Sequence, residues 1–262
     1  MNDTAEAIVF DKVGKTFDNG RVKAVVDVSL RVTTGEFVAI VGGSGSGKTT
    51  LLRLANRLLD ADHGYVRIGG QNVQQSDPIA LRRSIGYVFQ SAGLFPHMTV
   101  AENIGITPRL LGYPETDIAA RVDELLTLVR LAPDNYRDRY PHELSGGERQ
   151  RVGVARALAA RPRIVLMDEP FGALDPLTRD ALGDDYVRLH RDLTLTTIMI
   201  THDMTEAMLL AGRIAVMREG RLLGEGTPQE LARSDNSYIK ELLDTPRKQA
   251  ARLQAVLADR SA

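Results

Sequence analysis

Short apolar runs with strand-like spacing open this chain, and helical spacing takes over in its middle. Residues 7–10 and 24–32 read as strands, separated by the turn-prone Asp18-Asn19-Gly20. Residues 36–41 form a short apolar run suited to a buried strand. A Gly/Ser loop leads from it into a helical stretch over 48–59. Residues 65–68 and 85–89 are again strand-like. From about 91 to 160 the pattern is mostly helical. There Val122, Leu125, Leu126 and Val129 recur at i, i+3, i+4 and i+7, an apolar helix face. Pro141 and Gly146-Gly147 punctuate the second half of this stretch. Strand patterns return at 164–167, 197–200, 212–217 and 221–223, with a helix predicted over 176–193. The tail from Tyr238 is helix-prone, with a break expected near Pro246. Alternating strands and helices predict an α/β fold with a mainly parallel sheet, into which a helical subdomain is inserted.

Composition narrows the class. The 262 residues are 43% hydrophobic and 26% charged, ordinary globular usage with enough apolar material for a sizeable core. Basic and acidic residues number 33 and 34, a net charge of -1. Proteins that grip nucleic acid through its phosphates usually carry a basic excess, so no nucleic acid partner is expected. The absence of cysteine excludes disulfide frameworks and cysteine-based metal or nucleophile sites. No apolar stretch approaches the ~18 residues that span a bilayer, and the N-terminus lacks the charged-then-apolar build of a signal peptide. The chain is therefore expected to be soluble and cytoplasmic, with any membrane role exerted through a partner.

The strongest chemical signal is Gly42-Gly43-Ser44-Gly45-Ser46-Gly47-Lys48-Thr49, which fits the phosphate-binding pattern G-x-x-x-x-G-K-[ST]. It follows an apolar strand and opens a helix, the context that pattern needs. Its glycines let the backbone wrap closely around phosphates, with N–H groups pointing inward at a positive helix end. Lys48 is expected to reach the β- and γ-phosphates, and Thr49 to offer a hydroxyl to Mg²⁺. A plain flexible Gly/Ser turn is the alternative. The motif by itself identifies a nucleoside-triphosphate site, shared by kinases, GTPases and motor ATPases.

A second signal is Ile164-Val165-Leu166-Met167-Asp168-Glu169, a buried-type strand ending in two carboxylates. Asp168 falls at the strand's C-terminal edge, where α/β sheets bind ligands. It suits the Mg²⁺ shell, and Glu169 is the better candidate to polarise an attacking water. A solvated acidic turn remains the alternative for the pair alone. A third is Leu144-Ser145-Gly146-Gly147-Glu148, where Ser145 has N-cap chemistry and the next two glycines expose N–H groups at a helix start. It reads either as a second γ-phosphate clamp or as an ordinary capped helix.

Residues 144–148 resemble the signature of the ATP-binding-cassette (ABC) ATPases, and the rest of that family's motifs follow in order. Gln90, in Tyr87-Val88-Phe89-Gln90, matches the Q-loop glutamine; Ala173-Leu174-Asp175 matches the D-loop; His202, in Thr201-His202-Asp203, matches the switch histidine. Phe17 falls where the family usually has an aromatic residue stacking on adenine, commonly Tyr. Taken singly, His202 is also readable as a structural histidine, Gln90 as a polar strand end, Phe17 as a core aromatic, and Asp175 before Pro176 as a helix N-cap. The resemblance covers residues 7–235. It implies a P-loop NTPase of the ABC ATPase fold: a RecA-like mixed sheet core, an antiparallel β-subdomain, and a helical subdomain at about 91–160. Residues 236–262 would form a C-terminal helical tail.

The resemblance further implies a head-to-tail dimer with a second copy of the chain, two ATP molecules being sandwiched between them. Each ATP would be held by residues 42–50 of one chain, Thr50 included, and by Ser145, Gly146 and Gly147 of the other. Glu169, His202, Lys48 and Gln90 would be catalytic: His202 would hold the γ-phosphate and attacking water, and Gln90 would sense Mg²⁺ and the γ-phosphate. Thr49, Gln90 and Asp168 would serve the metal. DNA-repair relatives carry a long coiled-coil insertion, and translation factors usually carry two cassettes; this chain has one cassette and no long heptad run. No Asn-Lys-x-Asp suggests a GTPase. Asn56-Arg57-Leu58, residues 93–104 and residues 167–176 resemble the ATPases of bacterial osmoprotectant importers, for glycine betaine, choline or carnitine. The alternative is import of an amino acid or another quaternary amine, or, further off, a non-transport ABC ATPase. An integral-membrane permease would be the direct partner, and a substrate-binding protein an indirect one. The chain would sit peripherally on the cytoplasmic face of the plasma membrane. Leu94, Phe95 and Met98 are expected either to dock the permease's coupling helix or to belong to the local core. Some relatives carry tandem regulatory domains after the cassette, which a chain ending at Ala262 is expected to lack.

Overall fold

Phe37-Val38-Ala39-Ile40-Val41 is buried at every position, as its unbroken apolar character requires of a strand covered on both faces. A computed structural model describes residues 5–172 and 174–259. Its strands are β1 (Glu6–Phe17), β2 (Val22–Thr33), β3 (Phe37–Val41), β4 (His63–Ile68), β5 (Gln71–Asn72), β6 (Ile85–Val88), β7 (Ile164–Asp168), β8 (Thr196–Thr201), β9 (Arg213–Arg218) and β10 (Arg221–Gly226). The helices are α1 (Lys48–Ala55), α2 (Pro78–Ser84), α3 (Val100–Leu110), α4 (Glu115–Leu128), α5 (Pro133–Tyr136), α6 (Gly146–Leu158), α7 (Pro176–Asp192), α8 (Met204–Leu210), α9 (Pro228–Leu231) and α10 (Ser237–Asp259).

Two sheets result. An antiparallel sheet runs β2-β1-β4-β5, and a mixed sheet runs β10-β9-β3-β8-β7-β6. Within the mixed sheet β6, β7, β8, β3 and β9 are parallel, and β10 closes the edge antiparallel to β9. Strand periodicity divides the interior between two cores. Phe37, Ala39, Val41, Val165 and Met167 face the core shared with α3, α4, α6 and α7. Val38, Ile40, Ile164 and Leu166 face the core shared with α1 and the antiparallel sheet. The apolar face predicted around Val122 lies in the first core: Val122, Leu125 and Leu126 on α4 and Val129 at its end are all buried there. Among the described residues, no helix is long and apolar enough to cross a membrane.

Local chemistry moves several predicted boundaries. Helix α1 ends at Ala55, short of the predicted 59, because Asn56 accepts Leu58 N–H at 3.1 Å and Arg57 turns left-handed at φ 54°. Helices α2 and α8, both unpredicted, start at Asp77 and Asp203, whose carboxylates accept N–H groups of their first turns. The expected break at Pro246 does not occur: α10 runs through it as one helix. The missing proline N–H removes one hydrogen bond, and Thr245 nearby donates its hydroxyl back to Glu241 O at 2.8 Å.

Candidate functional site

In the loop between β3 and α1, two glycines leave no room for a side chain. A Cβ on Gly47, at φ 100°, would stand 2.1 Å from Ala24 O; one on Gly42 would stand 2.1 Å from Met217 O. Inside this turn the Lys48 ammonium, on a side chain 5% exposed, donates to Gly42 O at 2.8 Å, Gly43 O at 2.9 Å and Ser46 Oγ at 3.4 Å. Burial pulls the lysine pKa down, and the nearby charges of Glu169 and Asp168 oppose that shift.

The β7 end lies alongside. Thr49 donates its hydroxyl to Asp168 Oδ1 at 3.2 Å, and Tyr87 donates to Asp168 Oδ2 at 3.3 Å. Burial raises the Asp168 pKa despite those two bonds and Arg53. The same burial, with Asp168 beside it, pushes the Tyr87 phenol up. Glu169 leaves the strand at φ 45°, a backbone conformation uncommon for a side-chain-bearing residue, and its N–H donates to Ile200 O at 3.0 Å. Its Oε2 accepts from Gln90 Nε2 at 3.1 Å and pairs with His202 Nδ1 at 3.2 Å. Gly42–Thr49, Gln90, Asp168, Glu169 and His202, read from separate stretches of sequence, thus meet in one place.

The remaining candidates lie elsewhere. Ser145 caps α6, its Oγ accepting Glu148 N–H at 3.3 Å while Glu148 Oε2 accepts Ser145 N–H at 2.7 Å. Ser145, Gly146 and Gly147 make no hydrogen bond to the phosphate loop or to Glu169 among the described residues. Asp175 caps α7, accepting Thr178 N–H at 3.1 Å with Pro176 at the first helical position, a bond compatible with the D-loop match as well. Its D-loop neighbour Ala173 lies outside the described residues. Phe17 ends β1 as an exposed aromatic, with the Lys15 ammonium 5.9 Å from its ring. It is not a core residue. Ser44 and Gly45 are exposed at the loop's tip, and Thr50 sits half-buried in α1.

Sequence reasoning missed the groups that hold this site in shape. Tyr87 was read only as strand context. Asn103, fully buried, binds the preceding loop: its Nδ2 donates to Phe95 O, Met98 O and Thr99 O at 3.1, 3.1 and 2.9 Å, and its Oδ1 accepts Phe95 N–H at 2.8 Å. Arg156, also buried, donates to Gly93 O and Ala92 O at 2.7 Å each. A cavity of about 320 Å³ beside this pinned loop is lined by Arg82, Tyr87, Phe89, Phe95, Leu110 and Arg156, among others. Phe95 opens onto it, whereas Leu94 packs against the core.

Comparison with known proteins shows the family and the fold. The ABC transporter family model matches residues 25–172. The chain is 48% identical over 238 residues to the glycine betaine/carnitine/choline transport ATP-binding protein OpuCA of Bacillus subtilis (strain 168), covering 90% of this chain and 62% of that one. It spans about three-fifths of the length of such curated relatives. Among solved structures, cbiO1 from Clostridium perfringens, part of the ABC transporter complex cbiONQ, matches with TM-score 0.80 at 28% identity, covering 95% of this chain and 99% of that one. A dimeric ATP-binding cassette in a post-hydrolysis state with ADP and phosphate matches with TM-score 0.76 at 33% identity, covering 84% and 98%.

Proposed function

The chain belongs to the ABC transporter family, and from that premise we propose that it is the ATP-binding and hydrolysing subunit of an importer, powering osmoprotectant uptake through a separate permease. The observation that carries the reading is the Glu169 carboxylate, set between Gln90 and His202 and beside the Lys48 loop. Glu169 polarises the attacking water, since Asp168 is engaged by Thr49 and Tyr87. His202 orients Glu169 and the γ-phosphate. Lys48 and the loop N–H groups hold the phosphates, and positioning and electrostatics carry the catalysis. Phe17, exposed at the end of β1, offers its ring to the adenine.

Thr49 and Asp168 present a hydroxyl and a carboxylate oxygen 3.2 Å apart, a hard oxygen pair suited to Mg²⁺. Gln90 uses its amide nitrogen on Glu169, which leaves its carbonyl oxygen for the same set. Bound Mg²⁺ would supply charge neutralisation on the phosphates.

Ser145, Gly146 and Gly147 serve the phosphates of a second copy, because among the described residues they make no hydrogen bond to their own chain's loop and their helix start is positive. Asp175 lies at that same interface. The permease's coupling helix docks in the groove of Phe89, Phe95 and Leu110, whose loop Asn103 and Arg156 keep rigid. On this reading the subunit sits on the cytoplasmic face of the plasma membrane, with a substrate-binding protein reached only through the permease. In the same reading residues 7–235 form the ATPase domain, 91–160 its helical subdomain and 236–262 a tail. Glycine betaine, choline or carnitine is the cargo, by similarity to OpuCA.

Reconstitution with the permease and binding protein of an osmoprotectant importer tests the proposal. ATP turnover is expected to be weak for the subunit alone and to rise when the permease and one of these quaternary amines are present. Turnover indifferent to the permease would overturn the transport role, and stimulation only by amino acids would overturn the cargo.

A further inference from the structure

The phosphate loop is braced from outside by the start of α10. Asn236 Oδ1 accepts the N–H groups of Tyr238 and Ile239 at 3.0 and 3.3 Å, which fixes where that helix begins. Ile239 and Leu243, one turn apart, are buried in the core at 1% and 7% exposure and anchor it there. Tyr238 projects beside them, and its hydroxyl accepts the Gly43 N–H at 3.1 Å. The Arg218 guanidinium lies over the Tyr238 ring, 4.7 Å from its centre, and so limits where the phenol can swing. Arg218 directly follows Met217, the residue whose carbonyl crowds Gly42.

The Gly42–Gly43 peptide unit is therefore held at both ends. Its carbonyl accepts from Lys48 Nζ at 2.8 Å and its N–H donates to Tyr238 at 3.1 Å. A peptide unit between two glycines is the easiest kind to rotate, because no Cβ on either side restricts it. Released from Tyr238, it would be held at its carbonyl alone, and any turn of that carbonyl would carry the seat of the Lys48 ammonium with it.

We propose that Tyr238 is a positioning residue for phosphate binding, fixing the Gly42–Gly43 peptide plane and through it Lys48 before ATP arrives. The inference rests on the ATP-hydrolase reading above. It makes the tail helix part of the nucleotide site, although Tyr238 touches no substrate. Its contribution is preorganisation: a loop already ordered loses less freedom on binding.

Tyr238→Phe removes the acceptor and keeps the ring, the Arg218 contact and the neighbouring burial. In nucleotide-free protein the Gly43 amide is expected to exchange with solvent faster in the variant. ATP affinity is expected to fall about three- to tenfold, the effect of one lost neutral hydrogen bond. The KM for ATP should rise to match, with kcat at saturating ATP and the melting temperature unchanged. Equal Gly43 exchange and equal ATP affinity in the two proteins would overturn the proposal. So would a loss of kcat and melting temperature with KM unchanged, which is the signature of a merely structural residue. The exchange measurement needs no nucleotide. Unaltered protein that binds no ATP would therefore sink the functional reading, while Gly43 exchange still decides the Tyr238 contact.

Discussion

Replacing Glu169 with glutamine separates binding from chemistry at this site. The substitution keeps the side-chain shape and tolerates the same left-handed backbone at φ 45°. The amide oxygen can still accept from Gln90, now 3.1 Å from the carboxylate. What disappears is the negative charge that faces His202 at 3.2 Å and that the proposed mechanism uses as the base. A positioned general base is worth about 10²–10⁴ in rate, which corresponds to about 3–5 kcal/mol of barrier. Glu169 also raises the Lys48 pKa against burial, so its charge acts on the ground state too. Losing a carboxylate near the phosphates relieves repulsion, and ATP affinity is expected to stay equal or improve. Phosphate release at saturating ATP, measured beside equilibrium ATP binding, checks both halves. With ATP present the variant should accumulate as a dimer in sedimentation, because the γ-phosphate bridge persists. Turnover within tenfold of the unaltered protein would refute the assignment of Glu169 as the base.

Three further outcomes follow from particular contacts. Removing divalent metal with a chelator should abolish turnover and leave some nucleotide binding through Lys48 and the loop, as phosphate-release and binding assays would register; turnover that survives chelation counts against the Thr49–Asp168 metal set. Asp185→Ala strips the ion-pair partner from Arg151, 14% exposed and 3.1 Å away, and from the more exposed Arg130. It should cost about 3 kcal/mol in urea unfolding, whereas Arg130→Ala should cost under about 1 kcal/mol. Glu206 is buried, with Oε1 unpartnered among the described residues, and burial, reinforced by Asp203, raises its pKa in spite of a Thr201 hydrogen bond. Its relative stability is thus fully present below the ordinary value of 4.5 and is lost as pH rises through the higher folded value. Glu206→Gln should therefore raise the melting temperature at pH 8 and have little effect at pH 4; equal shifts at both would contradict this.

The site was legible where its chemistry depends on neighbours in sequence. The β3–loop–α1 unit announces itself because an apolar run, a glycine cluster and Lys48 must be consecutive to wrap a phosphate. Asp168 and Glu169 were visible because two acids end an apolar strand in a chain that also carries the phosphate loop; alone they read equally as a solvated turn. Helices α2 and α8 were missed although Asp77-Pro78 and Asp203 carry cap signals, because seven residues are too few for a periodic pattern to emerge. Asn103 and Arg156 were invisible for another reason. Each holds backbone carbonyls of the loop after Gln90, and carbonyls carry no side-chain identity to read. Tyr238 is the extreme case, reaching Gly43 across 195 positions. Pro246 misled because one missing N–H costs a single bond inside a helix of 23 residues.

The distribution of satisfied and unsatisfied groups says how the chain works. Lys48, Asp168, Glu169 and the Gly42–Gly43 peptide all have partners within one chain, so the half proposed as catalytic is built before nucleotide binds. The start of α6 is different. Ser145 and Glu148 satisfy each other, yet the first N–H groups of a helix have no partner within it. Such a surface gains most from an anion brought to it by something else. If ATP seated on one chain's loop presents its γ-phosphate to the α6 start of another, the ligand contributes to association as well as to catalysis. Cleaving the γ-phosphate then removes that bridge and leaves the loop, Lys48 and Tyr238 as they were. A rigid half and an open half are thus what a hydrolysis-driven cycle of closing and opening needs, and neither half could serve if both were rigid within one chain.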